Sequence, residues 1–233
     1  MGTVLSGNER DSIAEIIWCL CEYRGKPQAR SAVLQSVARL IRADYAASFI
    51  WDDHERRSTR RCSVNIDEPH LAAYDAFFHQ IDLVTPAMRP LAEATNVDRV
   101  IQRRELMQSQ FYCDFLKPAG MYHGINVYFF DQGRDVGDLR IWRGADDQPF
   151  GDREEQILKE LTPYFVRSLA QGVAHDSRLS QREDAVARLV ASGASDKAVA
   201  RELGIAYTTV RTHLNSAMQK LECANRTQLS RHF

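Results

Sequence analysis

Three positions near the C-terminus constrain this chain more than any others. Ala200, Gly204 and Val210 stand four and six residues apart. Two helices joined by a tight turn need a small residue where they cross and a residue free to take positive φ in the turn. A β-branched apolar residue then anchors the second helix. Val199, Leu203, Ile205 and Leu214 supply the remaining apolar contacts. The spacing predicts a pair of helices crossing at a turn in the last quarter of the chain.

The flanking residues extend the pair to four helices. Ser180 with Glu183 makes an S-x-x-E capping box that opens the first. Val186, Leu189 and Val190 form its inner face, and Gly193 ends it. Ser195 is a good N-cap for a second helix that stops at Gly204. The third starts near Tyr207, with Val210, Leu214, Ala217 and Leu221 as one buried stripe. Asn225 with Gln228 opens a short fourth helix. The outward face of the third carries Thr208, Thr209, Arg211, Thr212, Asn215, Gln219 and Lys220. Short hydrogen-bonding side chains and cations can lie against a nucleic-acid groove without a large apolar penalty. A helical bundle with no nucleic-acid role is the plain alternative.

Residues 179–230 resemble the four-helix output domain of LuxR/GerE transcription regulators. The matching pieces are LSQRE, SDKAVARELGI, TVRTHL (Thr209 to Leu214) and the QKL of Gln219 to Leu221. The resemblance implies a helix-turn-helix that binds double-stranded DNA, at a pseudo-palindromic site if the protein is a homodimer. RNA polymerase is a further candidate partner. Helical spacing puts Lys197, Arg211 and Lys220 on phosphates, and Thr208, Thr212 and Asn215 on base edges with Thr209 beside them. His213 sits toward the backbone-facing side and packs or touches phosphate. One residue departs from the family. Ala206 stands where Ser or Thr usually opens the recognition helix, and Ala caps less well by ~1 kcal/mol.

Charge and length divide the chain. Ala174 to Phe233 holds nine Lys/Arg against six Asp/Glu, so the rest carries −4 of the total −1. A net +3 is modest for a DNA-binding module and favours a dimer on two half-sites. The 233 residues leave room for a second domain. Its expected bounds are 1–172, followed by a polar linker at 173–178 and the output domain at 179–233.

The N-terminal domain reads as α+β. Helices are expected over Asn8 to Arg24 and Ala29 to Ala43, and strands over Tyr45 to Trp51 and Arg60 to Ile66 around a DDHERRS tip. A helix follows over Glu68 to Gln80, then strands over Gly120 to Phe130 and Val136 to Arg143. The last helix, Asp152 to Gln171, is capped by Asp152 and kinked at Pro163. Its stripe of Ile157, Leu158, Leu161, Phe165 and Leu169 either packs on the sheet or forms a dimer contact. The order describes an antiparallel sheet covered by helices and is similar to PAS/GAF-like sensor domains that precede LuxR-type output domains. FYCDFLKPAGMYHG (Phe111 to Gly124) and RGADDQPFGDREEQILKELTPYF (Arg143 to Phe165) resemble recurring segments of such domains.

That resemblance implies a small-molecule pocket between sheet and helices. Tyr74, Asp82, Phe111 and Tyr112 are the candidate ligand contacts, with Phe77, Phe78, Phe115, Tyr122, Tyr128 and Phe130 as further aromatic walls. Aromatics also build ordinary cores, and Asp82 also suits a loop or cap. Tyr74 and Asp82 resemble the pair that quorum-sensing members use for an acyl-homoserine lactone. In those proteins Pro follows the Asp and tryptophans line the pocket. Here Leu83 follows, and no Trp lies between Trp51 and Trp142. The expected ligand is therefore a small apolar, acyl or aromatic molecule, with the lactone as an alternative. A further alternative makes the domain a protein-interaction module of a co-regulator, and another leaves it without any input.

Other chemistries find no support. Phosphate-binding G-x-x-x-x-G-K-[ST] is absent, His54, His70, His79 and His123 are isolated, and no nucleophile stands with a base. The reading is thus a non-enzyme with neither cofactor nor metal. Five scattered cysteines, Cys19, Cys21, Cys62, Cys113 and Cys223, fit reduced thiols. Met1 to Gly7 lacks the basic start of a signal peptide, and the apolar run Ile16 to Cys21 is too short for a membrane span. A cytoplasmic protein is expected.

Overall fold

The computed structural model describes residues 6–52, 55–177 and 179–230, with backbone alone for 171–177 and Gln181. The chain divides into two compact units, Met1–Ala170 and Gln171–Phe233. No described helix is long and apolar enough to cross a membrane.

In the first unit, α1 (Gly7–Glu22) begins with a capping box in which Ser6 Oγ accepts the Glu9 amide at 3.3 Å. Helix α2 (Ala29–Leu40) buries Val33, Leu34, Val37 and Ala38. The sheet has five strands: β1 (Tyr45–Asp52), β2 (Arg57–Val64), β3 (Thr95–Asn96), β4 (His123–Asp131) and β5 (Arg134–Arg143). Their order is β2-β1-β5-β4-β3, and every pairing is antiparallel. Helices α3 (Glu68–Ala76), α4 (Val84–Met88) and α5 (Arg103–Gln108), with a π-helical turn at Tyr112–Leu116, cover one face. Helix α6 (Asp152–Ser177) follows the sheet.

The α+β architecture agrees with the sequence reading, and four strands lie close to their expected places. The edge strand β3 and the short helices α4 and α5 were not foreseen. Elements of two to six residues are too brief to show a hydrophobic period. The helix expected to run to Gln80 ends at Ala76. Phe77 leaves helical geometry at φ −142°, and a 3₁₀ turn spans Phe78–Gln80.

Strands β4 and β5 are buried on both faces. Alternation places Phe129 against α6, where its ring stacks on Phe165 at 4.8 Å and 6°. Ile157, Leu158, Leu161, Phe165 and Leu169 are all buried. This resolves the two options for the α6 stripe. It is core, and each such side chain contributes about 1.5–3 kcal/mol by leaving water. It is not an available dimer contact. Two further corrections concern the ends of α6. Asp152 is its first residue rather than its cap, and Glu154 Oε2 accepts the Gly151 amide at 2.8 Å. The helix also continues past Gly172, so the expected linker is helical to Ser177. A single Gly costs only ~1 kcal/mol relative to Ala, and Ala170, Gln171 and Ala174 favour helix. His54 and Arg178 lie outside the described residues.

The second unit is all helical: α7 (Gln181–Ala191), α8 (Asp196–Leu203), α9 (Tyr207–Lys220) and α10 (Arg226–Leu229). Ser180, Ser195 and Asn225 accept the backbone amides of Glu183, Ala198 and Gln228. Gly204 ends α8 at φ +62°, the left-handed conformation the turn requires. Val186, Val190, Val199, Val210, Leu214, Ala217 and Leu221 form the core.

Candidate functional site

On the first unit's helix-covered face, strands β4 and β5 bring Asn126, Tyr128, Asp138, Arg140 and Trp142 to one surface. Asn126 pairs across the ladder with Arg140, and Gly124 with Trp142. A Cβ on Gly124 would lie 2.6 Å from the Trp142 ring, so the missing side chain is what lets that ring lie across β4. A cavity of about 40 Å³ remains between this surface and the helices. Tyr74, Asp82 and Phe111 line it, as do Phe115, Asn126, Arg140 and Trp142.

The charged residues of the cavity wall form a closed network. Asp82 Oδ1 accepts the amides of Val84 and Thr85 at 2.8 and 3.0 Å. Its Oδ2 accepts the Tyr74 and Thr85 hydroxyls at 2.8 and 2.6 Å. Arg140 Nη1 donates to Tyr74 Oη at 2.6 Å, Nε to Asp138 Oδ2 at 2.8 Å, and Nη2 to Ser58 Oγ. The guanidinium lies 4.4 Å from the Phe49 ring centre. Burial pushes the Tyr74 hydroxyl far above its ordinary range, while Arg140 pulls it down, so it acts as a neutral donor to Asp82. Burial likewise raises the Asp138 carboxyl against the pull of Arg140.

Asp138 also repairs the sheet. Pairing of β1 with β5 runs only from Tyr45 to Ala47, and β1 is irregular between Ser48 and Ile50. There Asp138 Oδ1 accepts the Phe49 amide at 2.6 Å, and Ser48 Oγ donates to the Asp138 carbonyl at 2.5 Å. The buried carboxylate thus satisfies an amide that the ladder leaves open.

Of the four candidate ligand contacts, Tyr74, Asp82 and Phe111 line the cavity together. Tyr112 is buried in the same apolar cluster but does not line it, and its ring meets Tyr122 edge-on at 6.3 Å. Phe77 does not belong to the wall: it is 44% exposed, edge-on to Phe78. The sequence reading missed Thr85, Asn126, Arg140 and Trp142. For Arg140 the available signal was its alternation, with Asp138, against the apolar Leu139 and Ile141 of β5.

The second unit presents a different surface. Along α9, Thr208, Arg211, Thr212 and Asn215 are exposed, and Val210, Leu214 and Ala217 are buried. Thr209 is half-buried at the edge of that surface. Thr212 Oγ1 donates to the Thr208 carbonyl at 3.1 Å, so its lone pairs are what it offers outward. Among the described residues Lys197 and Arg211 form no ion pair. Lys220 does, with Nζ 2.6 Å from Glu183 Oε2. Tyr207, 45% exposed in the first turn of α9, shares a face with Arg211 and was not singled out from sequence.

Glu183 ties α9 to α7. It completes the capping box with Ser180, accepts the Ser216 hydroxyl and pairs with Lys220. Burial would raise its carboxyl, but these bonds outweigh burial and hold it at about 2. A depressed carboxyl stabilises the fold above its unfolded value, and that contribution is lost as pH falls from about 4.5 toward 2. Glu183→Gln is therefore expected to flatten this limb of the stability-versus-pH curve, read by melts of wild type and variant across that range. Parallel curves would mean that the Glu183 carboxylate does not stabilise the second unit.

The amino end of α9 lacks a side-chain cap. Ala206 has capping geometry, φ −66° and ψ 148°, with no side-chain hydrogen bond. Ala206→Ser is expected to stabilise the second unit by ~1 kcal/mol. Calorimetry should show its transition move up by several degrees, and an unchanged midpoint would mean that the amides are satisfied otherwise.

Residues 177–233 match the family described as bacterial regulatory proteins, luxR family. This second unit is a LuxR-family domain. Over 123 residues the chain is 28% identical to the monoamine regulon transcriptional regulator of Klebsiella aerogenes, covering 51% of this chain and 53% of that protein. The chain thus spans about half of that relative's length. The ligand-binding domain of VqsR from Pseudomonas aeruginosa matches 72% of this chain and 98% of its own, with a TM-score of 0.55 at 12% identity. CepR2 of Burkholderia cenocepacia, an N-acylhomoserine lactone-dependent LuxR-family transcription factor, gives 0.52 at 14% identity over 72% of this chain and 99% of its own. At such identities the likeness is one of fold. The N-terminal domain has the architecture of LuxR-type ligand-binding domains, ahead of the LuxR-family domain.

Proposed function

We propose that this protein is a homodimeric, sequence-specific DNA-binding transcription regulator whose N-terminal domain responds to a small apolar, acyl or aromatic molecule. The observation that carries the reading is α9, which buries Val210, Leu214 and Ala217 and turns Thr208, Arg211, Thr212 and Asn215 to solvent within a LuxR-family domain. Lys197 and Arg211 bind phosphates; Thr208, Thr212 and Asn215 meet base edges, with Thr209 at the margin. Lys220 reaches a phosphate only by sharing its charge with Glu183. A pseudo-palindromic duplex is the target, and RNA polymerase is the downstream partner. Trp18 on α1, 64% exposed, is a large apolar side chain left for a dimer contact.

Tyr74, Asp82 and Phe111 make one wall of the input cavity, with Tyr112 packed behind. An acyl-homoserine lactone held by Tyr74 and Asp82 fits less well, because each already serves the other and Asp82 accepts four bonds. The cavity's small volume favours a second reading, a protein-interaction module, since ligand clefts usually enclose ~300–1,000 Å³.

Native mass spectrometry of the full chain, before and after incubation with extract of its source cells, separates the two. A dimer with a defined small-molecule adduct supports the sensor. A dimer without one supports the interaction module. Selection from a random duplex pool tests the output, and enrichment of no two-half-site sequence would overturn the regulator reading.

A further inference from the structure

The cavity face holds two kinds of charge, and the fold engages both. Asp82 receives two amides and two hydroxyls. The Arg140 donors turn to Asp138, Ser58 and Tyr74, with Asp82 at 3.6 Å. An ammonium or carboxylate guest would have to break one of these buried pairs and leave its partner unmatched, which the low-dielectric interior strongly disfavours.

Asn126 is different. It is 1% exposed, lines the cavity, and lies beside Arg140 on the sheet. Its Nδ2 donates to Tyr128 Oη at 3.4 Å, and its Oδ1 is buried with no partner among the described residues. A buried acceptor left open calls for a donor. The remaining walls near it are apolar, chiefly Phe49, Phe115 and Trp142. Phe111 and Phe115 stack at 5.2 Å and flank or belong to the π-helical turn, a distortion frequent at functional sites. Water-sized room of about 40 Å³ suits roughly three small groups, so a larger guest enters by shifting these rings.

We infer that the cavity selects an uncharged, largely apolar molecule carrying one hydrogen-bond donor, which Asn126 Oδ1 accepts. The inference rests on reading the first unit as a small-molecule sensor. Asn126 sets specificity; Tyr74, Asp82 and Arg140 hold the wall that excludes charge.

Three ring compounds of similar size test it on the full chain by saturation-transfer NMR: phenol, which has a donor; toluene, which has none; and benzoate, which is charged. Phenol is expected to bind about tenfold tighter than toluene, as a neutral hydrogen bond in a buried site allows. Benzoate should show no transfer. Asn126→Leu should erase the difference between phenol and toluene. Equal binding of phenol and toluene by the wild type overturns the role of Asn126, binding of benzoate overturns the exclusion of charge, and either leaves the sensor reading intact. Failure of phenol to bind overturns the inference, while the sensor reading is decided separately by the adduct sought in native mass spectrometry. The wild-type comparison decides the matter even where Asn126→Leu lowers the melting temperature.

Discussion

Arg140→Leu is expected to destabilise the first unit by about 3–5 kcal/mol, the usual cost of removing one partner from a buried charge pair. The guanidinium is buried and bridges three elements: Asp138 on its own strand, Ser58 on β2, and Tyr74 on α3. Leucine would fill part of the volume and leave Asp138 and the Tyr74–Asp82 pair without their cation. The measurement is urea unfolding of the full chain, following the transition of the first unit with the second as an internal reference. Asp138→Asn in the Arg140→Leu background should recover part of the loss, because removing a whole pair costs less than breaking it. Recovery stays incomplete, since Asp138 Oδ1 also holds the Phe49 amide. A loss below about 1 kcal/mol would mean that the network does not depend on its cation.

Asn215→Ala and Arg211→Ala are expected to impair DNA binding in different ways. Both residues are exposed on α9, four residues apart. Asparagine can bond bidentately to a base edge, so its loss should cost about 1–3 kcal/mol per half-site and relax preference at one base position. Arginine on a phosphate carries no sequence information. Its loss should weaken all duplexes alike and lower the salt slope by about one per contact. Fluorescence anisotropy across a salt series, on the selected duplex and its single-base variants, separates the two. An unchanged salt slope for Arg211→Ala would remove it from the phosphates. An unchanged base preference for Asn215→Ala would remove it from the groove.

Legibility in the sequence followed the range of the interactions concerned. The four helices of the second unit could be read in advance because their signals are local. Ser180, Ser195 and Asn225 cap amides three residues on, Gly204 takes positive φ, and the α9 stripe repeats with the helical period. Lys220 shows where such reading stops. Helical spacing puts it on the outer face, but its partner, Glu183, is 37 residues away on another helix. The same limit hid the break at Phe77, where the helical pattern continues but the backbone turns.

In the first unit, alternation was enough to place a sheet and its covering helices, and the resemblance to LuxR-type sensor domains pointed to three of the cavity residues, Tyr74, Asp82 and Phe111. By itself the sequence determined each element's hydrophobic face, because that depends on residues a few positions apart. The tertiary structure alone decided that Arg140, 66 residues from Tyr74, closes the Tyr74–Asp82 pair, that Asp138 fills the gap in β1, and that Asn126 keeps an open acceptor at the cavity. Strand order sets these meetings: β5 lies between β1 and β4, so its side chains face partners that no sequence spacing brings together. Burial then fixes their chemistry, since a charge removed from water is stable only beside partners that the rest of the chain delivers to it.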